Sequence, residues 1–213
     1  MGSQLERKHR SEARLRLLGI PVNLNLPMIE SDDEVMLRST DEILRRLIAL
    51  WAVTGAAYEK GNRHYRDYIV TRDYDSWLSK EERLFLHEET APKLRCIQFS
   101  WRHECLFFLG WAAGLIPDIE IPSIESKCGP MMGLFPDDME EPSKLRNALS
   151  LRSKAEILDW SDLLYRLHWA GRQFGASVSL SVNPWVVQEW HLAANWLTRY
   201  DGEDNWDWVG TDT

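Results

Sequence analysis

The chain has 213 residues, 44% of them hydrophobic and 27% charged, which is typical of a globular protein with a sizeable core and excludes general disorder. The net charge of -8 argues against general binding to nucleic acid, because that requires a basic surface to displace counterions. The longest apolar run, residues 105–116, is too short to cross a bilayer, and the N-terminus lacks the apolar stretch of a signal peptide, so we expect a cytoplasmic protein without membrane contact.

The first predicted element is a charged helix over residues 1–19. It holds five basic and two acidic side chains, a local net charge of +3, and we interpret it as a solvent-exposed helix, with a phosphate-binding arm as the alternative. The segment IPVNLNLP, residues 20–27, is kept extended by its prolines. The S-x-x-E capping box then predicts helices that begin at Ser39, Ser79 and Ser153, since the serine and the glutamate each satisfy a free amide of the first turn.

Two further helices follow from start and stop signals. One is predicted over residues 100–115, before a proline, and the other over residues 183–201, where an Asn-Pro pair begins the helix and an Asp-Gly pair ends it. Strand signals are weak, the one alternating stretch being residues 177–182. We therefore predict a mainly α fold, a single compact multi-helix domain of about six to eight helices over residues 1–213.

Two segments outside these helices have unusual composition. Residues 117–142 hold five of the nine prolines and the acidic stretch 137–141, which predicts a long Pro-rich acidic loop, either a cover or partner-binding segment or an inert excursion. Residues 203–213, here called the tail, contain Trp206 and Trp208. Large apolar rings gain nothing at a frayed terminus, so we predict that the tail packs on the helical body.

Motifs of metal and nucleophile chemistry are not found in the sequence. The single E-x-x-H motif, from Glu6 to His9, lies on the charged first helix, whereas a di-iron bundle needs two such motifs on facing helices. The sequence has no HExxH and no G-x-S-x-G, and Cys105 falls on an apolar helix face. We therefore predict no catalytic residue, no metal site and no cofactor.

Two carboxylates fall within apolar helix faces. At about 100° per residue, Glu189 lies inside an apolar arc of about 160°, and Glu104 projects into the apolar sector of the helix that begins at residue 100. A buried carboxylate needs a partner, and the candidates on neighbouring helices are Arg102, Arg166 and His168.

The inward-facing carboxylates have two interpretations. In the first, they form a buried polar network that fixes helix register without chemistry. In the second, they line a pocket between helices that holds a small ligand or reacts with it, with the carboxylates as acid and base. The aromatic side chains predicted to line such a pocket are Trp101, Trp111, Trp169 and Trp196.

The same motifs resemble one protein family when they are taken in order. They are LRS at 37–39, SWRHE at 100–104, GWA at 110–112, YRLHWA at 165–170, Glu189, ANWL at 194–197 and WDWVGTDT at 206–213. From roughly residue 15 onward, the chain is similar to the bacterial domain-of-unknown-function family 4272. Trp190 departs from the arginine that this resemblance leads us to expect after the glutamate. The resemblance implies a compact, mainly helical bacterial domain whose tail is tied down, and it implies no activity.

These observations favour a cytosolic protein that works by binding another protein. The acidic charge suits a basic partner, and one such role is that of an immunity-type factor that neutralises a toxin by direct binding. The alternative is a small enzyme or ligand-binding domain that uses the Trp-lined pocket with its buried carboxylates. No nucleic acid is expected among the partners.

Overall fold

A computed structural model describes residues 3–59, 63–175 and 182–213. Over these ranges the chain is mainly helical and forms no strand, as the sequence predicts. The α-helices in these ranges are α1 (Gln4–Leu17), α2 (Thr40–Tyr58), α3 (His64–Thr71), α4 (Lys80–His87), α5 (Lys93–Ser100), α6 (Arg102–Ala112), α7 (Gly129–Met132), α8 (Ser143–Ala148), α9 (Lys154–Phe174) and α10 (Pro184–Leu197). Short 3-10 turns cover Asp75–Trp77, Tyr200–Gly202 and Trp206–Trp208.

Helices α10, α6 and α2 lie at the centre of the fold, and the other helices pack against them or against their neighbours. α10 contacts both α9 and α6, α2 contacts α6 and α5, and α1 packs against α9. The core runs along α2, where Leu44, Leu47, Ile48 and Leu50 are fully buried. None of the helices within the described ranges is long and apolar enough to cross a bilayer.

Side-chain caps begin four of the helices that the sequence predicts, whereas the helix predicted from residue 100 begins at Arg102, as α6, without one. Ser39, Ser79 and Ser153 each accept a backbone N–H of the first turn while the glutamate three residues later accepts the serine's own N–H, so all three predicted boxes are confirmed. Asn183 caps α10 in the same manner, through its side-chain oxygen. Ser3 provides a fourth box, at the start of α1, which the sequence reading missed.

Two predicted helix ends are too late in the chain. α6 ends at Ala112, and Gly114 then adopts a φ of 76° that turns the chain. α10 ends at Leu197, because Arg199 and Asp201 adopt left-handed backbone angles, with φ of 54° and 55°. Turn formation thus stops both helices before the residues that were predicted to end them.

The charged first helix is not simply solvent-exposed. Arg7 is 1% exposed and contacts Asp32 at 2.6 Å and Asp159 at 3.1 Å, while Glu12 and Leu15 are also buried. These contacts tie α1 to the extended segment that follows it and to α9. The expectation of a solvated helix is wrong for this inner face, since long-range ion pairs are invisible to local charge patterning.

The long loop predicted at residues 117–142 is not confirmed. The segment includes α7, and Met131 and Phe135 from it are almost completely buried in the core. Its acidic part, 137–141, is exposed. Of the alternating stretch 177–182, residues 177–181 lie outside the described residues.

Candidate functional site

Glu104 lies on α6 with its side chain fully buried. Its Oε1 lies 3.0 Å from His103 Nε2 and accepts the Ser126 backbone N–H at 2.8 Å. Its Oε2 accepts the Ser126 hydroxyl at 2.5 Å and the indole N–H of Trp190 at 2.9 Å. Burial raises the pKa of Glu104, but the hydrogen bonds from His103 and Ser126 outweigh burial and lower it below its usual value. Glu104 is therefore an ionised carboxylate whose two oxygens are both occupied.

His103 is held as a cation by acceptors at both ring nitrogens. Nδ1 lies 2.8 Å from the backbone oxygen of Ser100, and Nε2 faces Glu104. A neutral imidazole has a single N–H, so two acceptors of this kind require the doubly protonated ring. Burial lowers the pKa of His103, but the hydrogen bonds to Glu104 and Ser100 raise it by more than burial lowers it. The pKa therefore lies above its ordinary value.

Glu189 forms a second ion pair across the α6–α10 contact. Arg102 Nη1 lies 2.7 Å from Glu189 Oε2, and Cys105 donates its S–H to the same oxygen at 3.0 Å. Burial raises the pKa of the Cys105 thiol well above its usual value, and the Glu189 charge adds to that rise. The thiol therefore stays protonated, which removes it as a nucleophile. Both inward-facing glutamates thus hold α6 in register against its neighbours.

The tail completes this side of the molecule. Trp206 is 5% exposed, and its ring lies 4.6 Å from the Arg46 guanidinium and 6.0 Å from that of Arg102. Arg46 is itself buried against Glu82. Trp206 therefore covers two ion-paired arginines with an aromatic face, a cation–π arrangement. Trp208, in contrast, is 74% exposed.

The other two predicted partners of the glutamates lie elsewhere. Arg166 donates to Asp162 one turn earlier on α9, at 2.9 Å and 2.8 Å, and both side chains are 1% exposed. His168 Nδ1 lies 2.9 Å from His191 Nδ1. The sequence analysis grouped Arg166 and His168 with the carboxylates of α6 and α10, and this is corrected. Arg166 pairs with Asp162 on α9, and His168 contacts His191 on α10.

The four tryptophans predicted to line one pocket have separate surroundings. Each ring has a different aromatic neighbour, the pairs being Trp101 with Trp185, Trp111 with Trp160, Trp169 with Phe174 and Trp196 with Trp206. The structure does not bring the four together. A helical wheel gives the direction of a ring from its own helix but not the neighbour that it meets.

Arg38 is a central side chain that the sequence reading did not single out. It donates to the Trp196 backbone oxygen at 2.9 Å, to Asp204 at 2.8 Å and to the Glu203 backbone oxygen at 2.8 Å. It is 4% exposed and lies 4.6 Å from the Trp196 ring. Its position within the LRS motif is the signal that could have identified it. Its side chain fastens the tail to the end of α10.

Comparison with known proteins adds one assignment. Within the described ranges, His, Cys, Asp and Glu side chains form no group of three that could hold a metal ion. Neither a curated protein nor a solved structure matches the chain. A family model, described as domain of unknown function DUF4272, matches residues 7–209. The chain therefore belongs to the DUF4272 family.

Proposed function

We propose that this protein is a non-enzymatic factor that binds a basic partner protein, and that it acts as an immunity-type factor by covering a toxin. The observation that carries the proposal is a row of exposed apolar side chains on α5 and at the start of α10. This exposed apolar row consists of Leu94, Ile97 and Trp185, which are exposed, and of the half-buried Trp101 between α5 and α6.

The row is continuous in space. Leu94, Ile97 and Trp101 are spaced three and four residues apart, and the Trp101 N–H still bonds the Ile97 oxygen, so the three lie on one helical face. The Trp101 and Trp185 ring centroids are 6.5 Å apart. Leu94 is 76% exposed and Trp185 66%. Contiguous apolar groups on a soluble surface mark contact sites, and tryptophan dominates the energy of many interfaces.

The charge beside the row favours a basic partner. A cavity of about 370 Å³ borders the row at Arg102, next to Trp101. The ionisable side chains in its lining are Glu81, Glu82, Arg102, Glu189 and Asp207. The first three of these carboxylates have a cationic partner, Arg95, Arg46 and Arg102 respectively, which leaves Asp207 as the carboxylate without an ion pair in the described ranges. Together with the net charge of -8 and the exposed acidic stretch 137–141, this field would steer a basic protein toward the row.

The buried carboxylates favour binding over catalysis. Glu104 is engaged by His103 and Ser126, and Glu189 by Arg102, so each is an ion-paired structural group. An enzyme would require at least one of them to exchange protons with a substrate. The alternative of a small enzyme built on these two groups is therefore the weaker proposal.

The test compares three proteins as bait in extracts of the source cells. The row variant is Ile97→Ser with Trp185→Ser, and the matched control is Trp208→Ser, which removes an equally exposed indole. We expect one basic protein to be retained by the wild type and the control and lost by the row variant. With that protein purified, the row variant should bind about 100-fold more weakly, the scale of a lost interface hot spot, and affinity should fall as salt rises. Equal capture by all three baits, or an acidic partner, would contradict the proposal.

A further inference from the structure

A separate cavity of about 310 Å³ lies between α9 and α10. The extended residues 27–30 and the tail residues 212 and 213 complete its wall. It shares no lining residue with the exposed apolar row. Its volume is within the range of small-molecule sites, which are concave and have a few convergent polar groups.

Three neutral polar groups of this cavity have already used their donors. The hydroxyls of Ser161 and Thr198 donate to carbonyl oxygens of their own helices, at 2.9 Å and 3.0 Å. Asn195 donates through Nδ2 to the Gly210 oxygen at 2.8 Å. Asn195 is 7% exposed, and its Oδ1 has no partner within the described part of the chain. What these three groups still offer a ligand is lone pairs, which suit a hydrogen-bond donor, and the Thr213 hydroxyl, buried without a partner in the described ranges, can accept from that donor too.

The charged groups in the lining have the same preference. Glu30 and Asp212 are carboxylates, and the described lining residues include no lysine or arginine. Both carboxylates act on Tyr200, another lining residue: burial raises the pKa of its phenol, and the charges of Asp201, Asp212 and Glu30 raise it further. The cavity mouth is therefore electronegative.

Two aromatic rings add a third feature. Tyr165 and Tyr200 both line the cavity, and the negative face of a phenol ring attracts a cation. The Arg166 guanidinium already lies 5.8 Å from the Tyr165 ring centroid, so Tyr200 is the ring with both faces free of a protein cation in the described ranges. His191 lies in the same wall, 2% exposed, and burial lowers its pKa to about 3, so the ring is neutral and does not repel a cation. Arg166 reaches the Pro27 carbonyl at the edge of this wall, but Asp162 compensates its charge.

We propose that the cavity between α9, α10 and the tail binds a small organic cation, an alkylammonium ion, through the carboxylates of Glu30 and Asp212, the free oxygen of Asn195 and the rings of Tyr165 and Tyr200. This site is independent of the exposed apolar row, so the failure of either proposal leaves the other standing.

The probe for this site is n-butylammonium chloride, with n-butanol and sodium butyrate as probes of matched shape. We expect calorimetric titration of the wild type to give saturable binding of butylammonium, and butanol and butyrate to bind at least about tenfold more weakly. Butanol binding as tightly as butylammonium would show an apolar cavity without charge selection and would overturn the proposal. Absence of heat with butylammonium, confirmed by an unchanged melting temperature at the highest concentration, would overturn it as well.

Variants then locate the binding. Glu30 and Asp212 are exposed, so Glu30→Gln with Asp212→Asn should fold normally, and we expect it to bind butylammonium at least about tenfold more weakly. The control is Asp118→Asn, which removes an exposed carboxylate outside this cavity and should bind as the wild type does. Undiminished binding by the double variant would place the cation elsewhere and refute the assignment.

Discussion

The contact between His168 and His191 makes stability depend on pH. Burial, with the charge of Arg172, lowers the pKa of His168 to about 4, and burial lowers that of His191 to about 3. Both rings are neutral in the folded protein, whereas in the unfolded chain they take up protons near pH 6.5. As pH falls below 6.5 the unfolded state binds more protons, so the free energy of unfolding must decrease until the folded pKa values are reached.

The size of this effect follows from the linkage relation. One pKa unit corresponds to about 1.4 kcal/mol, so each histidine loses up to about 2 kcal/mol of stabilisation between pH 6.5 and pH 5. The pair therefore contributes up to about 4 kcal/mol, and because the unfolded rings are already half protonated at pH 6.5, the expected loss by pH 5 is about 3 kcal/mol. His103 affects stability at higher pH, because its pKa is raised in the folded protein. Its stabilisation is complete below pH 6.5 and is lost as the pH rises through the pKa of the folded state. Glu42, whose pKa is lowered to about 2, loses its stabilisation only below about pH 4.5.

Urea unfolding at pH 7, 6 and 5 measures the loss. The double variant His168→Gln with His191→Gln is the control, since its free energy of unfolding should be nearly constant across this range even though its absolute stability is lower. Imidazole NMR titration of the wild type reports the two pKa values directly. Equal stability of the wild type at pH 7 and pH 5, or two imidazoles that titrate near 6.5, would refute the reasoning.

Three other expectations concern stability. Glu189→Ala should lower the free energy of unfolding by about 2 kcal/mol because it strands the guanidinium of Arg102, which is 20% exposed, and Glu189→Gln should cost less since it keeps shape and hydrogen bonds; equal melts for wild type and alanine variant would contradict this ion pair. Deletion of residues 205–213 should lower the melting temperature by about 6 °C through loss of the buried Trp206 ring, whereas Trp208→Ala should leave it within about 1 °C, and scanning calorimetry compares them. Gly114→Ala places a Cβ 2.4 Å from the backbone oxygen of Ser150, at a φ of 76°. Chemical denaturation should therefore show that the free energy of unfolding falls by about 2 kcal/mol or more. A variant as stable as the wild type would mean that this turn relaxes freely.

Local signals in the sequence were sufficient for four helix starts, whereas α3, α5, α7 and α8, which begin without a side-chain cap, were missed. Ser39, Ser79, Ser153 and Asn183 are caps whose hydrogen bonds close within three residues, so the chain neighbours alone determine them. The class of fold follows from such starts. Helix ends were harder, because the left-handed turn at Arg199 has no residue type that announces it.

Partner choice in the core was beyond local reasoning. A helical wheel places Glu104 on the inward side of α6, and it is buried there, but His103 is its neighbour in sequence and Ser126 lies 22 positions later. Arg7 likewise finds Asp159 across 152 positions. Such pairs depend on how helices stack, which periodicity does not encode. The cavity between α9, α10 and the tail was missed for the same reason, since its wall comes from four separate segments.

The fastening of the tail by Arg38 has a consequence for synthesis. Arg38 binds Asp204, 166 positions further along, and Trp206 covers Arg46, so Arg38, just before α2, and Arg46, within it, obtain their final environment from residues that the ribosome makes much later. Closing so long a loop is entropically costly and occurs late in folding. While the chain is still growing, Arg38 and Arg46 therefore lack these two partners until the tail docks.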